Sequence, residues 1–144
     1  IVRKRQEAPI ETTLELADLI VRVMPGFMKR QKIHPATRTF QALRIAVNRE
    51  LDCIVPGIED ALRALVVGGR LCIISFHSLE DRMVKNTFRD MASTCVCPKD
   101  IPYCVCGRKA MLKIMTRKAL MPSIEETRRN PRARSAKLRV GERI

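Results

Sequence analysis

Apolar positions recur along this chain with two different periods, and the switch between them marks out its elements. Leu16, Ile20 and Val23 fall at helical spacing, and Thr12 with Glu15 forms a capping-box pattern that predicts a helix start. Pro25-Gly26 predicts its end, and Phe27 to Lys32 reads as a basic loop. The charged residues before Pro9 read as the close of an earlier helix. His34-Pro35-Ala36-Thr37 leads into a second helix, and His34 reads as a residue that starts it rather than as a ligand. Phe40, Leu43, Val47, Leu51 and Ile54 make one apolar stripe, while Arg38, Gln41, Arg44 and Asn48 project from successive turns of another face and could track a polar ligand. Pro56-Gly57 is expected to divide this helix from a third, with Ile58, Ala61, Leu62 and Leu65 inward, which Gly68-Gly69 ends.

From Leu71 the pattern changes. Leu71-Cys72-Ile73-Ile74-Ser75-Phe76 is nearly continuously apolar and rich in β-branched residues, which predicts a strand buried on both faces of a parallel sheet. Ser78-Leu79-Glu80-Asp81 reads as a capping box for a helix reaching about Met91. Residues 94–107 are irregular and cysteine-rich, Leu112 to Leu120 reads as a strand, and Pro122-Ser123 opens a short helix that closes at Asn130-Pro131. In the last ten residues Ala136, Leu138 and Val140 alternate with Lys137, Arg139 and Gly141, as in a half-buried antiparallel closing strand. The order helix, strand, helix, strand, short helix, strand matches the second half of a doubly wound α/β sheet. Such a half alone leaves a sheet edge and part of a core exposed.

A length of 144 residues and a hydrophobic share of 46% suffice for one domain with a core. No apolar run is long enough to span a bilayer, and a cytoplasmic location without membrane partners is expected. Beginning at Ile1 rather than Met, the chain is expected to be a fragment of a longer protein. Charge sharpens the picture. The formal net charge is +13, and residues 108–144 hold 12 basic against 3 acidic side chains. Lys and Arg release condensed counterions from phosphates, so this excess favours a polyanion, although a merely solvated face would also be basic. With four Phe, one Tyr and no Trp, the chain has too few aromatics for a platform stacking many unpaired bases, and arginine–phosphate contacts must carry the affinity.

Three segments carry candidate chemistry. His77 follows the predicted strand at its carboxyl end, where ligands of open α/β sheets bind, and is the candidate catalytic residue; alternatively it only ties down the loop. Asn130-Pro131-Arg132-Ala133-Arg134-Ser135 sets two arginines in a proline-stiffened loop suited to phosphates. Cys95-Val96-Cys97 and Cys104-Val105-Cys106 could enclose zinc or another thiophilic metal, though C-x-C is not the usual knuckle spacing; free or redox-active thiols and a disulfide pair are the other readings. Cys53 and Cys72 read as inert core thiols.

Taken in order, His34–Ile45, Gly68-Gly-Arg-Leu71, Ile74-Ser-Phe-His-Ser-Leu-Glu-Asp-Arg82 and Asn130–Ser135 resemble the RsmH/MraW methyltransferase family, and the cysteine cluster is similar to one in many of its members. The resemblance implies methyl transfer from S-adenosylmethionine to N4 of a cytidine in 16S ribosomal RNA, near the decoding centre of the small ribosomal subunit. It implies a Rossmann-like domain interrupted by a helical one, with residues 1–33 as the tail of that insertion and 34–144 as the C-terminal half of the methyltransferase domain. The family's Gly-rich cofactor loop has no counterpart in this sequence, so no residue is assigned to the cofactor. Arg38, Arg44, Arg132 and Arg134 are then the expected RNA contacts, with His77 and Ser78 lining the pocket. The competing expectation is a non-catalytic, zinc-braced RNA-binding module.

Overall fold

Local capping chemistry decides where the first helices begin. In the computed structural model, which describes residues 1–29, 33–98, 100 and 103–144, α1 (Val2–Glu7) is followed by α2 (Thr13–Val23). Thr12 Oγ1 accepts from the Glu15 backbone N–H at 3.1 Å, as the pattern predicted. The Glu15 carboxylate reaches one residue beyond the cap, to the N–H of Glu11 at 3.1 Å. A short α3 (Gly26–Lys29) occupies the start of the expected basic loop; Arg30, Gln31 and Lys32 lie outside the described residues.

His34 Nδ1 accepts from the Ala36 N–H at 3.2 Å, and its carbonyl accepts from Thr37, so it starts α4 (Thr37–Asn48) as expected. That helix stops well short of the predicted stripe. Arg49 turns left-handed at φ 52, and the Glu50 N–H closes onto the Ile45 carbonyl. The stripe is therefore split between two helices. Val47 is 79% exposed, and α4 half-buries Phe40, Gln41 and Ile45 instead. Residues Ile1–Glu50 form one structural unit and Leu51–Ile144 another.

In the second unit, α5 (Ile54–Ala64) contains Pro56 and Gly57 within its first turn rather than beginning after them. Proline is tolerated there because first-turn N–H groups have no partner inside the helix. Gly68 and Gly69 do not end α5; they turn the chain after it, Gly68 at φ 82, and exchange backbone hydrogen bonds of 2.8 Å with Arg143. The Arg143 guanidinium in turn donates to the carbonyls of Arg63 and Leu65, where α5 unwinds.

Three strands follow: β1 (Arg70–Ser75), β2 (Leu112–Ile114) and β3 (Lys137–Arg143), in the order β1-β3-β2. Both pairings are antiparallel, with Ile73 opposite Arg139 and Ile114 opposite Gly141. The parallel pairing expected for β1 is thus not seen among the described strands. The expected long strand 112–120 is broken. Met115 and Thr116 both donate to the Val140 carbonyl, Thr116 Oγ1 accepts from the Val140 N–H, and pairing resumes only at Leu120 opposite Leu138. Gly141 has to be glycine, since a Cβ would fall 2.6 Å from the Leu112 side chain.

Helices α5 and α6 (Ser78–Met91) cover one face of this sheet. Their Ile58, Leu62, Val84, Phe88 and Met91 pack with Leu112, against Leu71 and Ile73 of β1. The other face, with Cys72, Ile74 and Leu138, is not covered in the same way, and Ile74 is 59% exposed. Burial along β1 consequently alternates instead of being continuous. Cys72 and Cys53 are exposed, which corrects their reading as core thiols. Along β3 the fully buried positions are Arg139 and Gly141, not the apolar set. No helix among the described residues is long and apolar enough to cross a membrane.

Phe88 is 1% exposed at the centre of this core. Phe88→Ala is expected to cost about 3–5 kcal/mol in denaturant unfolding. Val47→Ala on the bare face of α4 should stay within about 0.5 kcal/mol. Equal losses at the two positions would contradict this assignment of the core.

Candidate nucleic-acid interface

An arginine inside a sheet needs a counter-charge, and α6 supplies it. Asp81, in the first turn of α6, accepts from Arg139 Nε at 2.7 Å and from its second guanidinium nitrogen at 3.2 Å. Lys137 Nζ lies 3.5 Å from the same carboxylate. The Arg139 side chain is 9% exposed and that of Asp81 14%. The hydrogen bond from Arg139 holds the Asp81 carboxyl below its ordinary value against the opposing effect of burial, and the charges of Arg139 and Lys137 add to the lowering.

Beside this clamp lies an open cleft of about 850 Å³. Phe88, Leu112 and Ile114 are among its lining residues, and Lys85, Arg89, Lys113, Arg117 and Lys118 ring it with positive charge. These five are exposed, and none makes an ion pair among the described residues. Asp81 is the only acidic residue lining the cleft, and it is already neutralised. Unpaired cations around an apolar bed suit a ribose-phosphate chain, in which phosphates meet the rim and sugars the bed. The charge excess after residue 108 hinted at half of this wall. Lys85 and Arg89, four apart on one face of α6, were the remaining signal.

His77, not Ser78, is the N-cap of α6. Its Nδ1 accepts from the Glu80 N–H at 3.3 Å, while the Glu80 carboxylate accepts from the N–H groups of Phe76 and His77 at 2.8 and 3.2 Å. Because Nδ1 accepts, the neutral ring carries its proton on Nε2. Nε2 is buried, 3.2 Å from Glu80 Oε1 but without hydrogen-bonding alignment, and so has no partner. Ser78 is exposed at the first position of the helix. Arg132 and Arg134 are exposed on the 3-10 turn Pro131–Ser135, either side of buried Ala133, with Asn130 Oδ1 accepting from the Arg132 N–H. Ser75 pairs with Lys137, so His77 and this turn leave the sheet at the same end. In the first unit, Arg38 is exposed, and Arg44 is engaged by Glu50 at 2.9 and 3.0 Å, which also holds Asn48.

Cys95, Cys97, Cys104 and Cys106 bring their four sulfurs within 4.8 Å of one another. The backbone N–H groups of Val96 and Arg108 lower the Cys106 thiol to about 6. For Cys95 the N–H of Cys97 acts in the same direction but is outweighed by the neighbouring thiols and by burial, and the group is raised to about 11. β1 runs into Phe76 and His77, not a glycine turn, and the N–H groups there are taken by Glu80.

Small antiparallel sheet, helical cover and cation-ringed cleft together define a mixed α/β protein with one strongly basic cleft. The chain belongs to the MraW methylase family, whose model matches residues 1–144. It is 56% identical to the ribosomal RNA small subunit methyltransferase H of Trichlorobacter lovleyi, and 54% identical to the proteins of that name from Halothermothrix orenii and Clostridioides difficile. Each match takes in all of this chain and 46% of the relative, so the chain spans about half the length of the curated relatives it matches.

The clamp makes acid stability depend on Asp81. Its contribution is fully present above the ordinary carboxyl value of 3.8 and is lost as pH falls through the lower folded value. Asp81→Asn is expected to cost about 1–3 kcal/mol at pH 7, the cost of an unsatisfied buried partner. Its stability should then fall less than that of the unsubstituted chain as pH drops from 5 to 2. Parallel acid curves in urea unfolding would show that the pair contributes nothing.

Proposed function

We propose that the whole protein transfers a methyl group from S-adenosylmethionine to N4 of a cytidine in 16S ribosomal RNA, near the decoding centre of the small subunit, in the cytoplasm. The present residues supply its RNA-facing surface and one wall of the reaction pocket. The cation-ringed cleft carries this reading, supported by family membership and by the relatives' names. In it, Lys85, Arg89, Lys113, Arg117 and Lys118 hold phosphates, and Arg132 and Arg134 extend the track at the sheet end where His77 and Ser78 stand. Arg38, exposed on α4, is a further contact, while Arg44 would have to leave Glu50 to make one.

The cytidine amine donates its lone pair into the ring, and on methylation it must give up a proton. His77 Nε2, buried, carrying the ring proton and without a partner among the described residues, can donate to an acceptor of the cytosine ring and so orient the base. The donor site is assigned to the part of the relatives' length that this chain does not span. In the same reading residues 1–33 belong to an inserted helical domain and 34–144 to a Rossmann-like one. β1, paired here along one edge only, would take a parallel neighbour on the other.

Mass spectrometry of 16S rRNA from a strain lacking the intact gene is expected to show the loss of one N4-methylcytidine, restored by the intact protein. Unchanged rRNA would remove the catalytic reading and leave that of an RNA-binding module. In the intact protein, Lys113→Glu with Lys118→Glu should weaken rRNA binding at least about tenfold at 0.1 M salt and make the logarithmic salt slope shallower by about 1–2. The pair Arg132→Ala and Arg134→Ala should flatten the slope in the same direction. An unchanged slope in both variants would count against this surface.

A further inference from the structure

The cysteine cluster lies outside the lining of the cleft and takes no part in the methylation reading. Two C-x-C pairs separated by six residues fold back so that four sulfurs converge on one point. Cys104 and Cys106 Sγ are 3.5 Å apart, and all pairs lie within 4.8 Å. Four thiolates about 2.3 Å from a central zinc are tetrahedrally spaced at about 3.8 Å, so a contraction of an ångström or less closes the shell. Two disulfides would need two separate pairs and give no reason for all four sulfurs to meet.

The surroundings point the same way. Val96, Tyr103 and Val105 are 54%, 80% and 76% exposed, and no apolar residue of this excursion is fully buried among the described residues. Among the described residues nothing apolar is buried to hold the segment together, which leaves its converging sulfurs as the groups placed to brace it. Gly107, at φ 58, lets the chain turn directly after Cys106, and the Cys97 N–H donates to Cys95 Sγ at 3.4 Å, as backbone groups around metal-bound thiolates do. The segment is anchored beyond the cluster. Arg108 donates to the Asp90 carbonyl and carboxylate at 2.7 and 2.8 Å, and the Met111 N–H to the Met91 carbonyl at 2.9 Å.

We propose that Cys95, Cys97, Cys104 and Cys106 bind one structural zinc ion with a closed four-sulfur shell, which braces the connection between α6 and β2. Zn²⁺ displaces the proton of each thiol it takes, no electron is transferred, and no coordination position remains open for water or substrate. Because β2 begins four residues after Arg108, which anchors to Asp90, the brace fixes the strand from which Lys113 projects.

The test uses the intact protein, purified without a polyhistidine tag and under reductant, then dialysed. Elemental analysis is expected to give about one zinc per chain, and Co²⁺ exchange to give the intense visible bands and sulfur-to-cobalt charge transfer of a tetrahedral thiolate site. Cys104→Ser with Cys106→Ser should abolish both. Releasing the ion from the unsubstituted protein with a mercurial should speed hydrogen exchange across 95–111 and leave the α5 and α6 core protected. A chain with no retained zinc and four freely reactive thiols would overturn the proposal, as would two disulfides by mass. Both readings are taken on the unsubstituted protein, so they hold even where the cysteine variant fails to fold.

Discussion

Arg139 sits in the middle of the central strand with its guanidinium under α6, and everything else in the second unit is arranged around the carboxylate that meets it there. Without Asp81 the last strand would place an uncompensated charge against the helix, a cost no packing in so small a core offsets. With it, α6 is fixed over β3 in position and in rotation. That rotation sets Lys85 and Arg89, one and two turns after Asp81, along the cleft. β3 in turn carries β2, and with it Lys113, to the same cleft. The same ion pair thus decides both the fold and where its positive charge gathers.

Much of the local structure was legible because it follows from side chains within four residues of each other. Thr12 and Ser123 act over such distances, and the structure uses them where the pattern put them. The departures share a cause. Pro56 lies in a first turn, where a missing N–H is harmless, so a breaker became part of a helix. Arg49 adopts a left-handed conformation that no glycine announced, and one stripe became two. His77 capped α6 through its ring nitrogen, a role normally sought in a hydroxyl or carboxamide. Cys72 and Ile74 look like core by composition, yet only one face of their strand is covered within these residues.

The site was less visible than the fold. Arg132, Arg134 and the cysteine quartet stand out because they cluster in sequence, and clustering in sequence is what a reader of sequence can see. The cleft is assembled from α6, β2 and the segment after it, and nothing short of the sheet order could bring Lys85 and Lys118, thirty-three positions apart, to one cleft. Arg139 is the reverse case: its alternation with Leu138 and Val140 marks it as solvent-facing, and only the long-range pairing with Asp81 turns it inward.

In the proposed function, ribosomal RNA lies in the cleft beside the Asp81–Arg139 clamp. Ultraviolet cross-linking of the intact protein to 16S rRNA, followed by mass spectrometry of the peptides, reads that position out. Cross-links concentrated at 85–89 and 112–118 are predicted. Cross-links confined to other surfaces, with those two segments free of nucleotide, would contradict it.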